Sequence, residues 1–228
     1  MHERDGQTIC GVGTTPKLAR AALHFGEEPC ISGKRGSGTV FFSGCSLGCI
    51  YCQNRKISLD HYGKEVSISK LRDIYNNLID SGAHNINLVT GSHFIPAIAK
   101  SLTPKLSVPV IFNCGGYERV ETLKMLDGLI DIYLPDMKYY DKNVAFKYSN
   151  AYDYPDIASA AIAEMYRQTG DCIFNEEGVL LRGLIVRHLI LPGQVQNSLK
   201  VIDWFKEFSK GKDILFSLMS QFTPTGGG

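Results

Sequence analysis

Residues 38–54 read GTVFFSGCSLGCIYCQN and set a strand and a cysteine loop back to back. Gly38-Thr39-Val40-Phe41-Phe42 is a β-branched and aromatic run of the kind that forms a buried strand. The loop after it carries Cys45, Cys49 and Cys52 at spacings of four and three, so three thiolates can converge on one face. Ser43, Gly44, Ser46 and Gly48 are small enough for the backbone to wrap closely around what the thiolates hold. Thiolates ligate iron–sulfur clusters, and a cubane ordinarily takes four. Three in the loop leave one iron open, by the logic that separates catalytic from structural zinc sites. A structural zinc site would show paired cysteine knuckles or a close His pair. No His lies between Cys45 and Cys52, and His61 is isolated. A plain electron carrier would need a fourth Cys, with Cys10, Cys30 and Cys114 as remote candidates.

Outward from the loop, the pattern alternates. Ile68, Leu71, Ile74, Tyr75, Leu78 and Ile79 fall at helical spacing, with Ser67 or Ser69 as N-cap and Gly82 as the stop. Strands are predicted at 85–90 (NINLVT), 109–113 (PVIFN), 130–134 (IDIYL), 183–191 (GLIVRHLIL) and 213–220 (DILFSLMS). Helices are predicted over 93–102, 118–126, 157–168 and 198–208. Near-continuous apolar strands separated by amphipathic helices imply a parallel sheet covered by helices. Six such units make either a doubly wound sheet or an incomplete barrel. Residues 172–181 (CIFNEEGVLL) read as a hairpin around Asn175–Gly178, and Leu18 to Phe25 as a helical turn or two. The domain reading is an N-terminal segment, 1–33, and a core, 34–228.

The chain has 228 residues, 44% of them hydrophobic and 21% charged, which suits one large α/β domain. Twenty-four basic and 23 acidic residues give a net charge of +1, so no broad field recruits nucleic acid or membrane. Lys34 and Arg35 are too few to make a basic patch. The N-terminus lacks an apolar signal core, and no run approaches the ~18 apolar residues of a membrane span. A cytoplasmic location is expected. Seven cysteines, three of them within eight residues, argue in a reducing compartment for metal binding rather than disulfides.

The Cys-x3-Cys-x2-Cys loop after a first strand, with Tyr51 before the last Cys, resembles the radical S-adenosylmethionine superfamily. GEEPCISGKRGSGTVFFSGCSLGCIYCQN, DIYLPDMKYYD and GLIVRHLILPG resemble in particular the pyruvate formate-lyase activating enzyme-like branch, over roughly Gly26 to Pro224. The resemblance implies a partial (β/α)6 barrel with a short N-terminal extension and a [4Fe–4S] cluster held by Cys45, Cys49 and Cys52. It implies reductive cleavage of S-adenosylmethionine to a 5′-deoxyadenosyl radical, an oxidoreductase chemistry. The implied partners are an external electron donor such as flavodoxin or ferredoxin and a glycyl radical enzyme as protein substrate. Radical modification of a small molecule or another peptide is the alternative within that chemistry. An iron–sulfur electron carrier or a zinc-stabilised binding module is the alternative outside it. Cys10 looks like the remnant of a cysteine-rich upstream segment of relatives.

Barrel chemistry gathers at the C-terminal ends of the strands, and polar residues recur there. By the resemblance, Tyr51 belongs to the cofactor site and Gly91 and Ser92 meet the methionine amino group. Helix capping at Ser92, with His93 on the first turn, is the plainer reading of those two positions. Asn113, ahead of Gly115 and Gly116, resembles the turn beneath the ribose, with Cys114 a small buried filler. Asp136 and Lys138 lie on one face of an extended segment and match an Asp-x-Lys that contacts the cofactor; a surface ion pair is the alternative. Arg187 sits in an apolar strand, where an Arg needs a partner; a cofactor carboxylate is a fitting one. His188 points to the other face as a core histidine. Ser220, Gln221 and Thr223 follow the last strand and could complete the pocket.

Overall fold

The computed structural model describes residues 12–223, together with the backbone of a short hairpin, β1 (Glu3–Arg4) and β2 (Gln7–Thr8). Cys10 lies outside the described residues. The elements that follow are β3 (Lys17–His24), α1 (Pro29–Ser32), β4 (Ser37–Phe42), α2 (Arg55–Ser58), β5 (Lys64–Glu65) and α3 (Ile68–Asp80). Next come β6 (Ile86–Val89), α4 (Ile95–Ser101), β7 (Val110–Cys114), α5 (Val120–Leu123), β8 (Ile132–Pro135), α6 (Lys142–Ser149) and α7 (Tyr154–Thr169). The chain continues through β9 (Ile173–Phe174), β10 (Leu180–Leu189), α8 (Val195–Phe208) and β11 (Leu215–Met219).

One nine-stranded sheet runs β11-β10-β8-β7-β6-β4-β3-β5, with β9 paired to β10. Strands β4, β6, β7, β8, β10 and β11 are parallel and lie side by side in chain order. The six parallel strands are therefore present, with helices in each of the five crossovers between them, and the sheet stays open between β11 and β5. This is the partial-barrel arrangement.

The local rules are visible in each unit. In α3, Leu71, Tyr75 and Leu78 fall on the buried stripe, Ser67 Oγ caps the helix by accepting from Lys70 N at 3.1 Å, and Gly82 leaves it at φ +94°. The hairpin predicted at 172–181 is β9 against the start of β10, with Gly178 at φ +76° in its turn.

The helical reading of Leu18 to Phe25 is corrected: residues 17–24 form β3, antiparallel to β4. The sequence KLARAALH favours helix by propensity, but β4 offers an unpaired edge. Its ladder from Leu18↔Phe42 to His24↔Ser37 satisfies the backbone of both strands.

Two apolar clusters follow the strand alternation. Val40, Phe42, Leu88, Phe112 and Tyr133 pack under the helices, while Ile111, Ile132, Leu134 and Ile185 face the other way. Ile31 of α1, fully buried, fills that second face. Asn85 holds it there, donating from Nδ2 to Ile31 O at 2.8 Å and accepting from Ser37 Oγ at 2.6 Å. Among the described residues no helix is long and apolar enough to cross a membrane.

Candidate iron–sulfur and cofactor site

The cysteine loop leaves β4 at its C-terminal end, over the ends of the neighbouring strands. Gly44 and Gly48, at φ +89° and +60°, make the turns that a side chain would resist. Ser43 O is held by His93 Nε2 at 2.7 Å and Gly44 N by Ile57 O at 2.9 Å. Beneath the loop, a cavity of about 170 Å³ is lined by Cys45, Cys49, Cys52, Asn113, Asp136, Lys138 and Arg187, among others. It adjoins a second space of about 220 Å³ that shares Cys49, Cys52, Asp136, Lys138 and Arg187 and adds Tyr51 and Gln221.

Asp136 is the hub of the polar wall. It pairs with Lys138 Nζ and accepts from Arg187 Nε at 3.1 Å. Arg187 also donates from Nη2 to Asn113 Oδ1 at 2.6 Å and lies 3.5 Å from Glu27 Oε2 through Nη1. Burial alone would raise the Asp136 carboxyl, but the two cations outweigh it and hold the group below its usual range. Lys138 is held charged by Asp136, with Cys49 adding to the pull, against the cost of burial. The wall is thus a connected array of opposite charges that faces the two spaces.

Three residues outside the motif brace this array. Tyr154 Oη accepts from Lys138 N at 2.9 Å and lies 2.7 Å from Asp136 O and 2.8 Å from Gly115 O, clamping the ends of β7 and β8 together. Ser58 Oγ donates to Cys52 Sγ at 3.2 Å, and Ser149 Oγ to Cys49 Sγ at 3.0 Å. Ser149 is further linked to Tyr139 Oη at 2.7 Å, and that to Tyr51 Oη at 2.7 Å. Thr90, on the cavity wall, holds φ +60°, strain for a β-branched residue of the sort that gathers at functional sites.

Of the residues singled out from sequence, Cys45, Cys49, Cys52, Tyr51, Asn113, Asp136, Lys138 and Arg187 meet around these two spaces. Gly91 and Ser92 do not line them. Gly91 packs on α4, where a Cβ would come within 2.5 Å of Ile98 Cδ1. Ser92 turns to a separate pocket and donates to Glu118 Oε1 at 2.7 Å. His188 is a satisfied core histidine, fully buried between Met137 O (2.7 Å) and Ser198 Oγ (2.9 Å). Ser58, Ser149 and Tyr154 were not legible as site residues, since each reaches the site only through the fold.

The donor set fits a cluster better than a single ion. Burial, with Cys49 adding to it, pushes the Cys45 thiol up to about 11, so thiolate there needs a strong positive partner. Among the described residues no three His, Cys, Asp or Glu side chains converge closely enough to hold one metal ion. A zinc site gathers its sulfurs about 2.3 Å from one point, whereas here the three thiols surround a cavity.

Residues 31–107 match the model of a 4Fe-4S single cluster domain. That span contains all three loop cysteines. The uncharacterised protein MJ0674 of Methanocaldococcus jannaschii is 27% identical over 213 residues, covering 89% of this chain and 57% of its own length. Among solved structures, methylornithine synthase (PylB) is similar with a TM-score of 0.54 and 15% identity, over 83% of this chain and 56% of that one. The likeness to it is one of fold. The chain spans little more than half the length of either relative.

Proposed function

We propose that this chain is a radical S-adenosylmethionine enzyme. The observation that carries the reading is one cavity walled by three thiols on one side and by Asp136, Lys138, Arg187 and Asn113 on the other. Cys45, Cys49 and Cys52 would hold a [4Fe–4S] cluster, and the match of residues 31–107 supports that assignment. Asp136 and Asn113 offer acceptors suited to ribose hydroxyls, and Arg187 and Lys138 offer cations suited to a carboxylate. When bound, cluster and cofactor together supply a one-electron reductive cleavage of a carbon–sulfur bond that yields a hydrogen-abstracting adenosyl radical. The chain's own part is to position, to shield the cavity from water, and to set the electrostatics of the thiolates.

The test is anaerobic reconstitution, followed by reduction with S-adenosylmethionine and chromatography for 5′-deoxyadenosine and methionine. Both products should appear, and Cys45→Ala, Cys49→Ala or Cys52→Ala should each abolish them, while Cys114→Ala and Cys172→Ala keep the cluster absorbance. Iron loading without cofactor cleavage would leave an electron carrier; zinc in place of iron would leave a binding module.

For the substrate, the reading is a glycine in a separate glycyl radical enzyme, with an external donor such as flavodoxin or ferredoxin supplying the electron. The open sheet supports it, because six parallel strands leave a lateral gap that a closed barrel lacks. A glycine-centred doublet in electron paramagnetic resonance on an added glycyl radical enzyme is the expected signal. Radical modification of a small molecule is the second reading, and a separate, partly open pocket beside Glu118, edged by Ser46 of the cysteine loop, has room for one.

A further inference from the structure

We propose that this separate pocket binds a small primary amine, with Glu118 receiving its ammonium group and an apolar wall receiving its body. The pocket encloses about 240 Å³ between the loops that follow β6 and β7, and shares no lining residue with the two spaces at the cysteines. Ser46, between Cys45 and Cys49, forms its edge, so an occupant lies against the cysteine loop.

Glu118 is 5% exposed. Its Oε1 accepts from Ser92 Oγ, but Oε2 is buried with no hydrogen-bond partner among the described residues. Burial raises this carboxyl, against the pull of the Ser92 hydroxyl and the nearby Cys114 thiol. Lys138 reaches it only through space and is already committed to Asp136. A buried carboxylate keeps its charge when a cation is placed on it, and is otherwise held neutral. The missing piece is a positive donor.

The surroundings choose among positive donors. A metal ion needs several anionic or neutral ligands, and among the described residues no three His, Cys, Asp or Glu side chains come together to supply them. A guanidinium would ask for two acceptors in one plane, and only one carboxylate oxygen is open. An ammonium carries three donors in no fixed plane: one suits Oε2, and the hydroxyls of Ser46 and Ser92 line the same pocket. Ile95, Pro96 and Met125 form an apolar wall suited to a short aliphatic chain, while His93, Tyr117, Thr122 and the exposed Arg119 line the remainder. The inference stands on this pocket alone and does not require the radical chemistry.

The probe is n-butylamine, titrated calorimetrically into the purified, cluster-loaded protein without reductant, with n-butanol as its uncharged counterpart. Saturable one-to-one binding is expected, with butanol at least tenfold weaker. Glu118→Gln should remove that preference while the melting temperature and the cluster absorbance hold. Met125→Trp fills the exposed rim and leaves the carboxyl intact, so it should weaken the amine tenfold or more even if the Gln variant folds poorly. Saturating S-adenosylmethionine should change the amine affinity less than twofold. Absence of saturable binding, equal binding of butanol, or undiminished binding in the Met125→Trp protein overturns the proposal. Competition with S-adenosylmethionine also overturns it, by assigning the ammonium site to the cofactor; that outcome leaves the radical reading standing.

Discussion

Ser149 donates its hydroxyl hydrogen to Cys49 Sγ at 3.0 Å, across 100 positions of sequence. The bond exists because α6 ends beside the cysteine loop, where Ile50 N also donates to Tyr148 O at 3.0 Å. Asp141 starts that helix by accepting from Asn143 N at 2.9 Å, and Asn150 ends it in the left-handed conformation.

A hydrogen bond to a cluster sulfur favours the reduced, more negative state. Ser149→Ala should therefore make the cluster's potential more negative by roughly 20–60 mV, the one-electron equivalent of the 0.5–1.5 kcal/mol of a typical hydrogen bond. Ser58→Ala, which loses the 3.2 Å bond to Cys52, should shift it the same way. A titration followed by electron paramagnetic resonance checks both; an unchanged or raised potential in both variants contradicts the assignment of these sulfurs as cluster ligands.

Arg187 joins Asp136, Asn113 and Glu27, so its replacement has two consequences. Arg187→Leu leaves the largely buried Glu27 without its cation and Asp136 with Lys138 alone, and stability should fall by about 3 kcal/mol. Arg187→Lys keeps the charge but not the fork, so most of the stability should survive while affinity for S-adenosylmethionine drops at least tenfold. Denaturant titration and calorimetry separate these effects. Unaltered affinity in the Lys variant would make the arginine purely structural.

Glu27 gives a pH dependence with a definite sign. Burial raises its carboxyl above the ordinary 4.5, with Arg187 pulling the other way. The folded chain therefore holds this proton more tightly than the unfolded one, so its contribution to stability is complete below about pH 4.5 and is lost as pH rises through the folded value. Glu27→Gln should flatten that slope in urea denaturation from pH 4.5 to 7, and a slope as steep as in the native protein would show that another group sets it.

Gly116 and Gly128 share a left-handed backbone, at φ +80° and +78°, but not their surroundings. A Cβ at Gly116 would lie 2.1 Å from Asp136 O, whereas Gly128 has nothing within 4 Å. Gly128→Ala should cost about 1–2 kcal/mol for the backbone alone. Gly116→Ala should cost about 3 kcal/mol or more, because it also forces β7 from β8 at the site. Equal losses in thermal denaturation would mean that the close approach to Asp136 is not rigid.

Residues 38–54 by themselves determined the strand, the three thiols and the chemistry those thiols suit, since a strand pattern and a ligand spacing are both local. The run of apolar segments also determined the six parallel strands and the helices between them, because each strand and helix carries its own period. Only the tertiary structure decided the rest. It turned KLARAALH from helix to strand, because an open edge of β4 satisfies more backbone than a short isolated helix can. It tied Asp136, Lys138, Arg187 and Asn113 into one wall while sending Ser92 to Glu118 instead. Strand alternation tells which face a residue takes, but not which neighbour waits there. Partners such as Ser149 for Cys49 come from elements far apart in the chain, and nothing local in either segment encodes the meeting.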